Sequence, residues 1–478
     1  MRRSLKLFTF LLLIFFLIGC NETIVVEEYV ISSVDVVKVG EKLNLKTNIE
    51  NPAWYSSNES FAQVDSNGVV TAIKIGTATI FASNNEKTAS LDITIIKSDK
   101  IDDPASNDVL LGIDRIDDYL ELFAGKRVGL ITNQTGINSN YESTIDVLFE
   151  KVNLVALFAP EHGIRGDLQA GATAPTYIDE KTGLTVYSLY GATLKPTKAM
   201  MDKIDILCID IQDAGARFYT YVYTMSYAME ACAEFDKEFV VFDRPNPAGA
   251  HLYEGNILEL EYASFVGRYP IVQRHGMTIG ELAQLFNEEY EINCDLEVIL
   301  MDNYDRTMFF DDTNLPWVIP SPNFPSINTA IVYTGTCIFE GTNLSEGRGT
   351  TIPFEVIGAP YIDAYELAEA LNALNLDGVI FRPAYFTPTF SKNANKLNAG
   401  VQVHVTDRET FKSVKTGWAM LEVIRDLYPN DFQLLSSMNR LTGTDYISKR
   451  TYTLEEQFAI LEEDTNTFGL IREKYLLY

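Results

Sequence analysis

The stretch "KIDILCIDIQDAGARFYTY", Lys203–Tyr221, decides how the chain is read. It is an apolar run that ends in a polar cluster and passes into a helix continuing through "MSYAMEACAEF". A strand apolar on both faces is buried on both faces, and such strands alternating with helices build a parallel sheet covered on each side. The same pattern recurs on either side. "KRVGLITN" (Lys126–Asn133), "NLVALFAPEHG" (Asn153–Gly163) and "KEFVVFDRPNP" (Lys237–Pro247) read as strands with polar exits, and "STIDVLFE" (Ser143–Glu150) reads as a short helix.

In open sheets of this kind ligands bind outside the carboxyl ends of the strands. Asn133, Glu161, His162, Asp210, Asp213, Asp243 and Arg244 all fall there. Residues at such positions also cap helices and fix turns, and Asp210 and Asn246 suit that role equally. Glu161 and His162 point to function: Pro160 and Gly163 restrict their loop, and Arg165 follows closely. Aromatic residues gather nearby, among them Tyr187, Tyr190, Tyr219, Tyr221 and Tyr223. Helical spacing makes some of them core. An aromatic wall beside carboxylates is also what a sugar needs, because a pyranose has apolar CH faces and many hydroxyls.

A second α/β region begins near Leu252. "TIGELAQLFNEEY" (Thr278–Tyr290) is an amphipathic helix with a capping box formed by Thr278 and Glu281. "LEVILM", "GVIFRPAYF" and "AGVQVHVTD" read as strands and "TFKSVKTGWAMLEVIRDLY" as a helix, and "TLEEQFAILEED" is expected on the surface as a helix. "AIVYTGTCIFEGTNLSEGRGTTIPFEVIGAP" (Ala330–Pro360) reads as a strand ending at Phe339 that opens into a Gly-rich loop holding Glu340, Glu346 and Arg348. That loop is not a phosphate-binding P-loop. Five residues separate Gly341 from Gly347, where the motif needs four, and Arg348 stands where Lys is required.

Ahead of the sheet, residues 24–97 read as short β-branched strands separated by Gly and Asn-Gly turns. Residues 98–108 are polar with Pro and Ser, a linker. At the start, Arg2, Arg3 and Lys6 precede "LFTFLLLIFFL" and then "LIGC", a positive, apolar and small-residue order that marks a secretory signal. "LIGC" resembles the lipobox of bacterial lipoproteins, whose Cys, here Cys20, would carry the lipid and begin the mature chain. The expected location is therefore extracytoplasmic, with lipid anchorage to the membrane.

The chain of 478 residues has a formal net charge of −28, which repels nucleic acid and sets that partner aside. Cys208, Cys232, Cys294 and Cys337 form no CxxC pair, which argues against a structural zinc site and a disulfide framework. No GxGxxG follows the first strand, so a dinucleotide cofactor has no support, and no metal is called for. His251 and His404 look isolated, whereas His275 precedes a helix N-terminus and suits either role.

Two resemblances extend this reading. "WYSSNESFAQVDSNGVVTAI" and "VTAIKIGTATIFAS" resemble the bacterial immunoglobulin-like group 2 domain, which implies a small all-β sandwich, a spacer or adhesive unit with no chemistry of its own. "GLITNQTG", "LFAPEHGIRG", "IDIQDAGARFYTYVYTM", "VFDRPNP", "HGMTIGELA", "SPNFP" and "FEGTNLSEGRGTTIPFEVIGAP" resemble the NamZ exo-β-N-acetylmuramidases, formerly domain of unknown function 1343. That resemblance covers residues 109–478. It implies a Rossmann-like parallel-sheet subdomain, expected over 109–250, and a smaller α/β subdomain over 251–478 that closes a cleft. It also implies release of terminal N-acetylmuramic acid from the non-reducing end of peptidoglycan fragments, with muropeptides and disaccharides as ligands and no cofactor.

The Glu of the "EHG" motif, Glu161, would be the catalytic acid. His162 is expected beside it, and Glu346 or Asp213 is expected as the second group, with assistance by the substrate's acetamido group left open. Arg348 or Arg217 would pair with the lactyl carboxylate. Asn133, Arg165, Tyr219, Tyr223, Asp243, Arg244, Asn246, His275, Asn323 and Asn343 complete the expected substrate-binding set. Two other functions compete: a non-catalytic muropeptide-binding surface lipoprotein, and a hydrolase of another linkage such as an N-acetylglucosaminide. The sequence does not identify a protein partner.

Overall fold

A computed structural model describes residues 29–32, 34–74, 76–96, 108–165 and 175–478. Cys20 and nearly all of the expected linker lie outside the described residues. The chain divides into two compact units, residues 1–106 and 107–478.

The described part of the first unit is a β-sandwich. One sheet runs in the order Val36–Lys38, Thr88–Ile96, Gly76–Ser83, Ala53–Ser56, and the other in the order Lys42–Asn44, Val69–Ala72, Ala62–Val64. Strict alternation drives this packing: Ala78, Ile80 and Ala82 point into the core with Ile93, Ile95 and Val70, while their neighbours face out.

The second unit is built on a seven-stranded sheet. Its order is Tyr177–Ile178, Thr185–Ser188, Leu154–Ala159, Val128–Thr132, Ile206–Asp210, Glu238–Phe242, Asp295–Ile299. Every pairing is parallel except that of the short edge strand Tyr177–Ile178. Apart from that edge, the order is the one in which a doubly wound sheet starts at its centre, builds outward one way, then returns and builds the other way. The strands are apolar throughout because helices lie on both faces.

The Asp295–Ile299 strand pairs residue for residue with Glu238–Phe242, so the first subdomain does not end at residue 250 as expected. The helix Ile279–Glu289 is the crossover into that last strand, and crossover and strand belong to the same sheet.

The rest of the unit is an antiparallel sheet of Val356–Ala359, Asn398–Val405 and Val379–Phe386 with helices against it. The expected strand ending at Phe339 is instead the helix Ile327–Thr336, followed by a 3-10 turn over Cys337–Gly341. Its β-branched run suggested a strand, but Ser326 caps the helix by accepting from the Thr329 N–H, and the run is apolar all round because the helix is buried all round. Gly335 permits that burial: a Cβ there would sit 1.8 Å from the Ser413 carbonyl oxygen at the start of the crossing helix Ser413–Leu427. The four cysteines of this unit are free thiols, all buried.

Candidate active site

The Leu154–Ala159 strand ends in a tight turn. The Gly163 N–H donates to the Pro160 carbonyl at 3.2 Å, and His162, with φ 75°, sits at the third position, where such turns usually place Gly. A buried non-glycine residue in the left-handed region is strained, and strain of this kind gathers at functional sites. The turn presents Glu161 toward the start of the helix Tyr221–Glu234. There the Thr220 hydroxyl donates to Glu161 Oε2 at 2.9 Å, and the Tyr190 phenol also bonds to the Glu161 carboxylate. Burial and the Glu161 charge both push the Tyr190 hydroxyl above its ordinary pKa, so it stays a donor.

A run of buried aromatic rings leads away from Glu161. Tyr221 donates to the Pro320 carbonyl at 2.8 Å and packs edge to face on Tyr219. Tyr219 in turn meets Phe324 and Tyr333, and both of these meet Phe354. The Arg348 guanidinium lies 5.2 Å from the Phe354 ring centre. Beyond it stands Glu346, which is 1% exposed, with Arg348 Nε 3.4 Å from one carboxylate oxygen and Lys392 Nζ 3.0 Å from the other. Burial raises the Glu346 pKa, while Lys392 and Arg348 hold it back. Lys392 is fixed by donating to the Phe339 and Glu340 carbonyls at 2.7 and 3.1 Å, and Arg348 is paired with Glu340. The two carboxylates thus stand at opposite ends of one continuous chain of contacts.

Asp213 lies beside Tyr219. Its Oδ2 accepts from the Gly215 N–H at 2.7 Å and from His275 Nε2 at 3.1 Å. The Met277 N–H donates to His275 Nδ1 at 3.3 Å, so the neutral ring carries its proton on Nε2. Asp213 Oδ1 is buried with no hydrogen-bond partner among the described residues, and the Asn133 side chain and the Tyr219 hydroxyl both lie against the Tyr221 hydroxyl. Buried polar atoms are normally paired, so the unmatched carboxylate oxygen of Asp213 at the sheet's carboxyl edge is a candidate contact for a polar ligand. Asn133 itself is oriented by Thr135, whose N–H donates to its Oδ1 at 2.9 Å, and Asn323 is buried on the turn leading to Phe324.

Several expected binding residues serve the scaffold instead. The Arg217 guanidinium, expected as a partner for the lactyl carboxylate, is fully buried and donates to the carbonyls of Asn256, Ile271 and Thr442 at 2.7, 2.9 and 2.7 Å. The Tyr223 hydroxyl closes the same knot by donating to the Arg217 carbonyl at 2.6 Å. Asp243 accepts from Thr278 Oγ1, the Gly280 N–H and the Tyr478 hydroxyl at 2.7, 2.7 and 2.9 Å, and burial pushes its carboxyl up to about 7. Arg244 is ion-paired to buried Asp210, Asn246 braces the Met277 and Ala248 backbone, and Asn343 braces that of Asp431 and Gln433. Arg165 is bound to Asp179 at 2.8 Å. Apart from the exposed Arg165, these polar groups are largely buried and must be paired, and backbone groups and side chains such as Asp210 supply the partners.

Thr220, Tyr190, Glu340 and Lys392 were not among the expected site residues. Tyr190 had a signal in its aromatic neighbourhood and Glu340 in its Gly-rich loop. Thr220 looked like part of a helix, and Lys392 lies in "SKNANK", which carries no motif. Among the described residues no cluster of three or more His, Cys, Asp or Glu side chains is placed to hold a metal.

A parallel doubly wound sheet with a strained carboxylate turn and buried polar groups at its carboxyl edge defines an α/β protein with a candidate site for a polar ligand. The comparisons make this specific. Residues 128–328 match the model of the N-terminal part of exo-β-N-acetylmuramidase NamZ, and residues 331–478 match that of its C-terminal part, so the chain belongs to the NamZ family. Residues 32–95 match the bacterial Ig-like domain, group 2. The peptidoglycan β-N-acetylmuramidase NamZ of Bacillus subtilis is 54% identical over 378 residues, covering 77% of this chain and 91% of that one. A crystal structure of a DUF1343 family protein from Bacteroides fragilis is 39% identical with a TM-score of 0.73, covering 78% of this chain and 100% of that one. A second from the same organism is 34% identical with a TM-score of 0.62, covering 78% and 99%.

Proposed function

We propose that this chain is an exo-β-N-acetylmuramidase that removes terminal N-acetylmuramic acid from peptidoglycan fragments, with Glu161 as its general acid. The observation that carries this reading is the Glu161 turn, strained at His162 and bonded to Thr220 and Tyr190, in a chain 54% identical to a curated muramidase. Cleaving a glycosidic bond needs a proton for the leaving oxygen and an answer to the positive charge that grows on the ring. Glu161 gives the proton. Glu346, at the far end of that run of rings, is the second carboxylate. Arg348 lies beside Glu346 and is the cation offered to the lactyl carboxylate, in competition with Glu340. The Asp213–His275 pair positions polar groups at the same edge. Cys20 anchors the protein outside the membrane through lipid.

The test is Glu161→Gln. General acid catalysis contributes about a hundred- to ten-thousandfold, so turnover of natural disaccharide should fall by that factor at unchanged melting temperature. A nitrophenyl β-N-acetylmuramide has a good leaving group and should show a smaller deficit. Near-normal turnover of the disaccharide assigns the acid elsewhere. A wild-type protein that binds N-acetylmuramic acid but never releases it from either substrate is a binding lipoprotein, not an enzyme.

A further inference from the structure

The β-sandwich has one face that its own fold does not explain. On the outer side of the sheet containing Ala53–Ser56, Gly76–Ser83 and Thr88–Ile96, Tyr55 and Phe81 stand opposite each other across paired strands. Their rings stack at 4.9 Å with an 11° angle between planes. Tyr55 is on the edge strand and 45% exposed, so Phe81 backs one face of its ring and leaves the other to solvent. The unit's core does not need this pair, because it already holds Ile80, Ile93 and Val70 on the inner side.

The rest of the outer face mixes hydroxyls with apolar and charged groups, with Val36 and Ile96 exposed there beside Lys38. Ser90 lies beside Phe81 in register, Thr79 lies opposite Asp92, and Thr94 continues the row two residues on. Same-face residues repeat about every 7 Å along a strand and about 4.8 Å between strands, which makes a flat lattice of donors and acceptors beside an upright ring. Among the described residues of this sheet face the charges are Asp92, which accepts from Thr79 Oγ1 at 2.7 Å, and Lys38. In a chain of net charge −28 this is a nearly neutral surface. It would tolerate a wall polymer bearing carboxylates that the rest of the protein repels.

We infer that this face, centred on Tyr55 and Phe81, is a binding platform for the β-1,4-linked glycan strand of peptidoglycan, with a pyranose CH face stacked on Tyr55 and sugar hydroxyls bonded along the Thr79–Ser90–Thr94 row. The choice of polymer rests on the function proposed above. The gain would be one of effective concentration: a second contact on an insoluble strand makes each encounter of the catalytic unit with that strand intramolecular.

The experiment compares full-length wild type with Tyr55→Thr and Tyr55→Trp in detergent. Co-sedimentation with insoluble peptidoglycan is measured in excess N-acetylmuramic acid, which occupies the catalytic cleft, and chitin serves as a second β-1,4 polymer. Thr suits an exposed edge-strand position and touches nothing in the core. The expected result is about tenfold weaker sedimentation for Tyr55→Thr and retained or tighter sedimentation for Tyr55→Trp. Turnover of soluble nitrophenyl β-N-acetylmuramide should be equal in all three, and this reports on the proposed activity independently. Equal sedimentation of wild type and Tyr55→Thr overturns the inference. So does equal loss in Tyr55→Thr and Tyr55→Trp, since an aromatic ring would then not be what binds. Binding to chitin but not to peptidoglycan overturns the assigned polymer.

Discussion

The Thr220 hydroxyl holds Glu161 Oε2 at 2.9 Å from the residue that immediately precedes the helix Tyr221–Glu234. A carboxylate on one strand's exit loop is thereby aimed by the start of a helix that follows a different strand, and the aim depends on both.

Thr220→Val keeps the shape of the side chain and removes the donor. With Tyr190 still bonded to Glu161, the variant should turn over natural disaccharide roughly tenfold more slowly, the effect of about 1.4 kcal/mol on the barrier. KM should change little, because the hydroxyl orients the acid and not the sugar. Thr220→Ser should recover most of the rate. Steady-state kinetics on the three proteins checks this, and a rise in KM with kcat preserved would count against it.

Lys392→Met removes the cation 3.0 Å from Glu346 while keeping an unbranched chain. Burial already raises Glu346, and Lys392 is the largest influence pulling it back down, so its loss moves that carboxyl further up. Glu346 then ionises only at higher pH. If it works as an anion, the acidic limb of the kcat profile shifts toward neutrality while the alkaline limb stays in place. An unshifted acidic limb removes Glu346 from the reaction.

Asp243 gives a stability prediction with a definite sign. Its folded carboxyl, at about 7, lies above its ordinary value of 3.8, so between those limits the unfolded chain has released a proton that the folded one keeps. Folding is therefore helped fully below pH 3.8, and that help is lost as pH rises to about 7. Asp243→Asn carries no such proton. The wild-type melting temperature, measured relative to that of the variant, should fall steadily across this window and level off above it, a change on the order of a few kcal/mol. A constant difference between the two proteins would show that Asp243 is ionised in the fold throughout.

Cys20→Ala should leave the protein out of the membrane fraction or block its processing. Membrane retention with normal cleavage would show that another element anchors it.

Much of the fold was legible because it depends on pattern. Uninterrupted apolar strands such as Ile206–Asp210 and the Thr278–Glu281 capping box announce themselves locally. The helix Ile327–Thr336 did not, because a fully buried helix and a buried strand share one composition, and only the Gly335 crossing decides between them. The last parallel strand was visible, but not its membership of the first sheet, which is a matter of pairing between distant segments. At the site, Glu161 and Glu346 stood out by motif and loop. The division between groups left at the site and groups serving the scaffold was hidden. Arg217 and Arg348 look alike in sequence, and their difference lies in carbonyls more than two hundred residues away in one case and in a neighbouring carboxylate in the other.

Arg217 has a mechanical meaning as well. One guanidinium ties the strand-exit loop of the first family region to Thr442 in the second, deep inside the protein and sealed from water. Pulling these two regions apart would strip a buried guanidinium of its carbonyl partners and leave an uncompensated buried charge. The two regions are therefore expected to unfold together and not in turn, as one cooperative body.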